Sequence, residues 1–201
     1  LYLQHYIQWR QQRVLRDGHL LYETAEQDIH AIALALYQQS GIGYPKFFKM
    51  DILSRVAFLA AEWALPIALT VDRDKTATVL SSASGCLEVD HRFDESRQTL
   101  ASPSLFVYTL PNIMLGEIDI RHGFKGEQMC TISESADPAW LDFYVSDLLQ
   151  HRGTEACLCG HIEAAADKLS ATMLWVSKDR PADGNALPFH LPVLEQIFNY
   201  A

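Results

Sequence analysis

Residues 102–126 read SPSLFVYTLPNIMLGEIDIRHGFKG, and 127–137 continue EQMCTISESAD. Thr109 is placed to cap a helix whose first turn holds Pro111, where a fixed φ and a missing N–H cost nothing. Gly123 supplies the stop, because a left-handed residue after the last turn is cheap only for glycine. Glu127–Ser133 then reads as a strand, and Ser133-Glu134-Ser135-Ala136 as a sharp turn. Asp137, followed by Pro138, caps a further helix that runs to Arg152 and stops at Gly153. Helix, strand, tight turn and helix in so few residues define one unit of a layered α/β protein.

The flanks extend that pattern. Leu1–Trp9 alternates as a strand. Thr24 and Gln27 form a capping box ahead of Ile29, Ile32, Ala33, Leu36 and Tyr37, which recur at helical spacing up to Gly41. Lys46–Leu65 reads as one helix with Phe48, Ile52, Val56, Leu59 and Trp63 on a face and Pro66 at its end. Thr76–Ser82 is β-branched and apolar, a buried strand entering the turn Ala83-Ser84-Gly85. Asp90–Leu100 reads as a short polar helix. Ala156–Ile162 and Leu169–Val176 are apolar strands about Asp167-Lys168, an antiparallel hairpin. Residues 180–188 are a Pro/Gly-rich linker, and Leu191–Tyr200 a terminal helix. The expected architecture is α/β, a mixed five-stranded sheet with flanking helices: one domain over 1–179, then a linker and helix over 180–201 that pack on the domain or on a partner.

Composition narrows the function. The 201 residues carry 25 Asp and Glu against 16 Lys and Arg, a formal charge of -9, which disfavours a phosphate-binding surface and so nucleic acid. The longest apolar stretch, Val56–Val71, is interrupted by Glu62 and Pro66 and is too short to span a bilayer. No charged-then-apolar leader is visible. Cys86, Cys130, Cys157 and Cys159 lack zinc spacing, and Cys157 and Cys159 point to one face of a strand. Reduced core thiols and a cytoplasmic chain without metal or cofactor are therefore expected.

The 102–137 block resembles the middle of the β-ketoacyl acyl-carrier-protein synthases. That family has a Ser-Pro start, an Asn-rich helix closing on Gly-hydrophobic-Arg/Lys-Gly, a strand, and a turn bearing the nucleophilic cysteine. Counted from Gly123 without a gap, the cysteine position holds Ser135. Phe47-Phe48-Lys49-Met50-Asp51, Ala77–Gly85, Ala156–Glu163 with Gly160, and Leu169–Val176 resemble further family segments in the right order. The likeness thus covers about Gly43–Val176 and implies the N-terminal half of the thiolase-like fold, the sequence ending about where the family's second, histidine-bearing half begins.

What the resemblance implies about activity follows from Ser135. A condensing enzyme holds its acyl chain on a thiolate, and a serine hydroxyl stays protonated unless a base lies beside it. No condensing activity is expected from this chain alone. A cysteine-less, ketosynthase-like subunit resembles the chain-length factors of heterodimeric synthases, most of all the short ones accompanying aryl polyene or flexirubin-type enzymes. By that likeness Gln128, Met129, Cys130, Thr131, Ile132 and Ser133 pair with the same strand of an active β-ketoacyl synthase. Leu105, Phe106 and Thr109 reach toward the partner's acyl tunnel, with Leu110, Ile113 and Met114 behind them. An acyl carrier protein, itself acidic, would dock through the partner.

Two other readings stand beside this one. Ser135 with His161 or His190 could serve a small acyl hydrolase, although Ser133 and Asp137 occupy the positions where such elbows want glycine. A self-associating scaffold is the other. Each marked group also has a plainer reading: His161 as a hydrogen-bonded core histidine, Asp90, His91 and Glu95 as a solvated helix face, and Lys46, Lys49 and Arg55 as a modest basic patch.

Overall fold

The computed structural model describes residues 1–165, 168–181 and 186–199. Its strands are β1 (Tyr2–Arg10), β2 (Arg13–Arg16), β3 (His19–Glu23), β4 (Thr76–Ser82), β5 (Gln128–Ile132), β6 (Ala156–Ala165), β7 (Lys168–Ser177) and β8 (Leu187–Pro188). Its helices are α1 (Ile29–Ser40), α2 (Ile52–Ala64), α3 (Leu87–Ser96), α4 (Pro103–Val107), α5 (Ile113–His122), α6 (Pro138–His151) and α7 (Leu191–Phe198). One sheet runs β3-β2-β1-β7-β6-β4-β5, with β8 also on β1. β4 is parallel to both β5 and β6, while the other pairings are antiparallel, so the sheet is mixed.

The five expected strands lie side by side, and the sheet grows to eight by a hairpin and a two-residue strand. β2 and β3 escape a hydrophobic reading because RQQRVLRDGHLLYE is too polar to alternate. The signal is in the turn instead: Arg16 pairs with His19 across Asp17 (φ 53°) and Gly18 (φ 80°). Two successive positive φ values make the tight turn that matches strand twist, for which Asp-Gly is a favoured pair. Asp17 ties the hairpin down by accepting from the Tyr6 amide (2.8 Å) and bonding His5 Nδ1 (2.8 Å).

Four helix starts also differ from the sequence reading, α3 beginning at Leu87 and not at Asp90. Asp28, not the Thr24–Gln27 box, caps α1 through the amides of His30 and Ala31. The expected helix over 46–65 is two elements, a 3-10 turn over Pro45–Lys49 and then α2, because Asp51 accepts from the Ser54 amide and begins a new helix. The helix expected from Thr109 is likewise split: α4 is capped by Ser102, and α5 begins only after Asn112. Thr109 instead donates to the Phe106 carbonyl (2.8 Å). Asp137 does cap α6 through the Trp140 amide, and Gly41 and Gly123 end α1 and α5 in left-handed conformations. The hairpin residue Asp167, linker residues 182–185 and Tyr200 lie outside the described residues.

Each sheet face buries its own core. On one, Ile7, Trp9, Leu80, Leu158 and Trp175 meet α2, α5 and α1 through Val56, Leu59, Ile118 and Leu36. On the other, Ala77, Val79, Cys157, Cys159 and Leu174 meet α6 (Leu141, Val145, Leu148) and α7 (Leu194, Ile197). All seven residues of β4 are buried, as befits a strand covered on both faces. Gly160 is required where β6 passes β7, since a Cβ there would collide with the Thr172 carbonyl. α7 packs along α6, and the Ile197 carbonyl accepts from Gln8 Nε2 (2.8 Å), which ties the last helix to the sheet.

Candidate functional site

β5 is the last strand of its sheet, and the chain turns from it into α6. Among the described residues its outer edge therefore has no strand paired to it, which leaves a template for another strand. Gln128 and Ile132 are exposed and Met129, Cys130 and Thr131 half-buried, while Ser133, just past the strand, donates its amide to the Ser82 carbonyl. Ile132 is 61% exposed. Its side chain lies against Gly85, as does that of Pro111, so the strand end adjoins the segment after α4.

That segment carries the apolar candidates. Phe106 (61% exposed), Val107 and Leu110 (58%) face outward, whereas Met114 is fully buried and Leu105 and Ile113 are half-buried against the core. Leu110 is thus at the surface rather than behind Phe106, and Val107 joins the patch without having been marked. The cause is Tyr108, the one buried residue between Leu105 and Leu110. Its hydroxyl donates to Glu117 Oε1 (3.0 Å), and Lys46 Nζ lies 2.6 Å from Glu117 Oε2. This inward anchor turns its neighbours out. It also takes Lys46 from the basic patch, as Arg55 is taken by the carbonyls of Phe47 and Phe48.

Ser135 is exposed in the turn, and its carbonyl accepts from Ser133 Oγ (2.7 Å). Among the described residues no histidine bonds its hydroxyl. His161 is bonded to a different serine, Ser81, with Oγ and Nδ1 2.8 Å apart, and His190 sits at the start of α7. None of the shifted thiols is poised as a thiolate. Burial, then Asp90, pushes Cys86 up to about 11, and burial also raises Cys130 and Cys157.

Around Ser81 the structure builds a polar end to the sheet. Thr131, Ser81, His161 and Thr172 stand opposite one another on β5, β4, β6 and β7. Glu163, nearly buried, accepts from the hydroxyls of Ser82 and Ser84 (both 2.8 Å) and from the amides of Ala83 and Ser84. Burial alone would raise its pKa, but these donors hold it below the ordinary glutamate value. Ser81, Thr131, Ser133, Asp137, Trp140 and Leu141 line a cleft of about 200 Å³ at the carboxyl ends of β4 and β5. Ser81 escapes a reading from sequence, because a serine inside a strand carries no local signature.

The fold is one that this chain shares with solved ketosynthase and chain-length-factor structures, all at low sequence identity. The ishigamide ketosynthase/chain length factor superposes with a TM-score of 0.66 at 15% identity, over 90% of this chain and 63% of that one. The complex of ketosynthase ApeO with its chain length factor ApeC from Xenorhabdus doucetiae gives a TM-score of 0.58 at 14% identity, over 100% of this chain and 91% of the matched one. The type II acyl-carrier protein complex AntDE:AntF, with its ketosynthase bound to the hexaketide, gives 0.58 at 13%, over 88% and 62%. The chain therefore spans less than two thirds of the first and third of these. No protein-family model and no curated protein sequence matches it.

Proposed function

We propose that this chain is a chain-length factor: a ketosynthase-like subunit that pairs with an active β-ketoacyl synthase and shapes its acyl tunnel without condensing. The observation that carries the reading is the open edge of β5 flanked by the outward apolar segment of Phe106, Val107 and Leu110. An edge strand lends itself to pairing with a like strand, and bulky side chains beside it are placed to enter a neighbour's cavity. Ser135, at the position of the family's cysteine and with no histidine bonded to it among the described residues, fits a subunit that leaves condensation to its partner. The likeness to chains from ketosynthase and chain-length-factor complexes supports the same assignment.

In this role Gln128–Ser133 form the joint, and Leu105, Phe106, Thr109 and Leu110 set the depth of the partner's tunnel, with Ile113 and Met114 as backing. The acyl carrier protein docks on the partner, since a chain of charge -9 repels an acidic carrier. A product of the aryl polyene type is the expected outcome. The test is molar mass by light scattering, alone and after co-expression with a ketosynthase encoded beside it. A soluble one-to-one complex supports the proposal. A homodimer or monomer indifferent to the synthase overturns it, the homodimer in favour of a scaffold.

A further inference from the structure

Ser81, in the lining of the cleft beside α6, is bonded to His161 behind it, a pair that the chain-length role does not use. Ser81 Oγ is 2.8 Å from His161 Nδ1, its next neighbour being the Gly160 carbonyl at 3.3 Å. His161 Nε2 lies 4.0 Å from Glu163 Oε1. With a hydroxyl at one ring nitrogen and a carboxylate toward the other, the favoured tautomer carries its proton on Nε2 and leaves Nδ1 free to accept. Burial pushes the His161 pKa down, Glu163 opposes the shift and Arg10 adds to it, and the net direction favours the neutral ring. Glu163 stays anionic in its cage of four donors, which fixes it in place.

The surroundings suit a small electrophile. Ser81 is 5% exposed but lines the cleft, which lies outside the carboxyl ends of parallel strands, the usual ligand position of such sheets. Thr131, directly opposite Ser81 on β5, also lines it and offers a hydroxyl donor. Trp140, stacked on Tyr144 with ring centroids 5.1 Å apart, and Leu141 make the apolar wall. About 200 Å³ is small beside typical drug-sized ligand sites and suits an acyl group of a few carbons.

We propose that Ser81 and His161 form a nucleophile–base pair that cleaves short acyl thioesters or activated esters. Ser81 Oγ attacks the acyl carbon as its proton passes to His161 Nδ1, while the Thr131 hydroxyl donates to the developing oxyanion. The C–S or C–O bond breaks, the thiol or alcohol leaves with the proton held by His161, and Ser81 remains as an acyl ester. Water then attacks this ester, giving a proton to Nδ1. The carboxylic acid departs and Ser81 regains its proton. Pairing through β5 is not required for this chemistry.

The experiment uses the full chain with p-nitrophenyl acetate and with the acetyl thioester of N-acetylcysteamine, and maps the covalent adduct by peptide mass spectrometry. The expected result is a burst of p-nitrophenol with the acetyl group on Ser81. The adduct is lost in Ser81→Ala, kept in Ser135→Ala, and formed at least about a hundredfold more slowly in His161→Gln. Melting temperatures of the variants separate this from misfolding. Absence of an adduct, or an adduct on Ser135 or elsewhere, overturns the proposal; the wild-type map decides alone should a variant fail to fold.

Discussion

Replacing Ile132 by Asp probes the β5 edge directly. The side chain is 61% exposed, so the change costs the lone chain little. In a complex paired through β5 the same side chain would be covered. Burying the exposed part of an isoleucine contributes about 1.5 kcal/mol, and an uncompensated carboxylate at the joint costs at least about 2 kcal/mol more. Together these weaken association by roughly 300-fold, at about 1.4 kcal/mol per decade. The assay is the dissociation constant for the ketosynthase, with Leu20→Asp as control. Leu20 is 53% exposed on β3, the strand at the opposite edge. Unchanged affinity for Ile132→Asp, or equal losses for both variants, would refute pairing through β5.

Phe106→Ala should lengthen the products of the complex and leave its assembly intact, which mass spectrometry of the released acyl chains measures. Tyr108→Phe removes the hydroxyl that donates to Glu117 and should broaden the product-length distribution while lowering stability by about 1 kcal/mol in urea denaturation. Asp119 is buried beneath β4 and accepts from Thr78 Oγ1 (2.6 Å), and burial, partly offset by that bond, pushes its pKa up to about 6. A raised carboxylate stabilises the folded state at pH below its ordinary value and loses that contribution as pH rises through about 6. Asp119→Asn should therefore gain about 1–2 kcal/mol at pH 7.5, less than the full shift because among the described residues Oδ2 has no partner to receive the new amide N–H. The gain should vanish near pH 4, a comparison that paired denaturation curves make.

The sheet's centre was legible because burial dictates composition there. β4, β6 and β7 are buried along most of their lengths, and they carry the apolar runs Val79-Leu80, Ala156–Cys159 and Met173–Val176. The hairpin of β2 and β3 was not, since its outer residues face water and only Asp17-Gly18 encodes it. Helix starts misled where two capping side chains competed, as Thr24 and Asp28 did before α1. The site divides in the same way. Ser135 and the strand before it follow from a gap-free count, but the outward turn of Leu110 depends on Tyr108 reaching Glu117, a contact between α5 and the segment before it. The pairing of His161 with Ser81 instead of Ser135 depends on β4 and β6 being adjacent, which links positions eighty residues apart.

The two proposals meet at Thr131. It belongs to the edge that a partner strand would join, and it lines the cleft opposite Ser81. Side chains of a strand alternate between faces, whereas hydrogen bonds to a new neighbour lie in the plane of the sheet. A partner on β5 would therefore leave the Thr131 side chain on the face of α6 and add its own side chains to the open flank of the cleft. The Ser81–His161 pair would then sit behind the joint, reached along the face of α6 and not through the edge. Acylation of Ser81 in the isolated chain and in the complex separates these geometries. A rate unchanged by the synthase places entry along α6, and protection places it across β5.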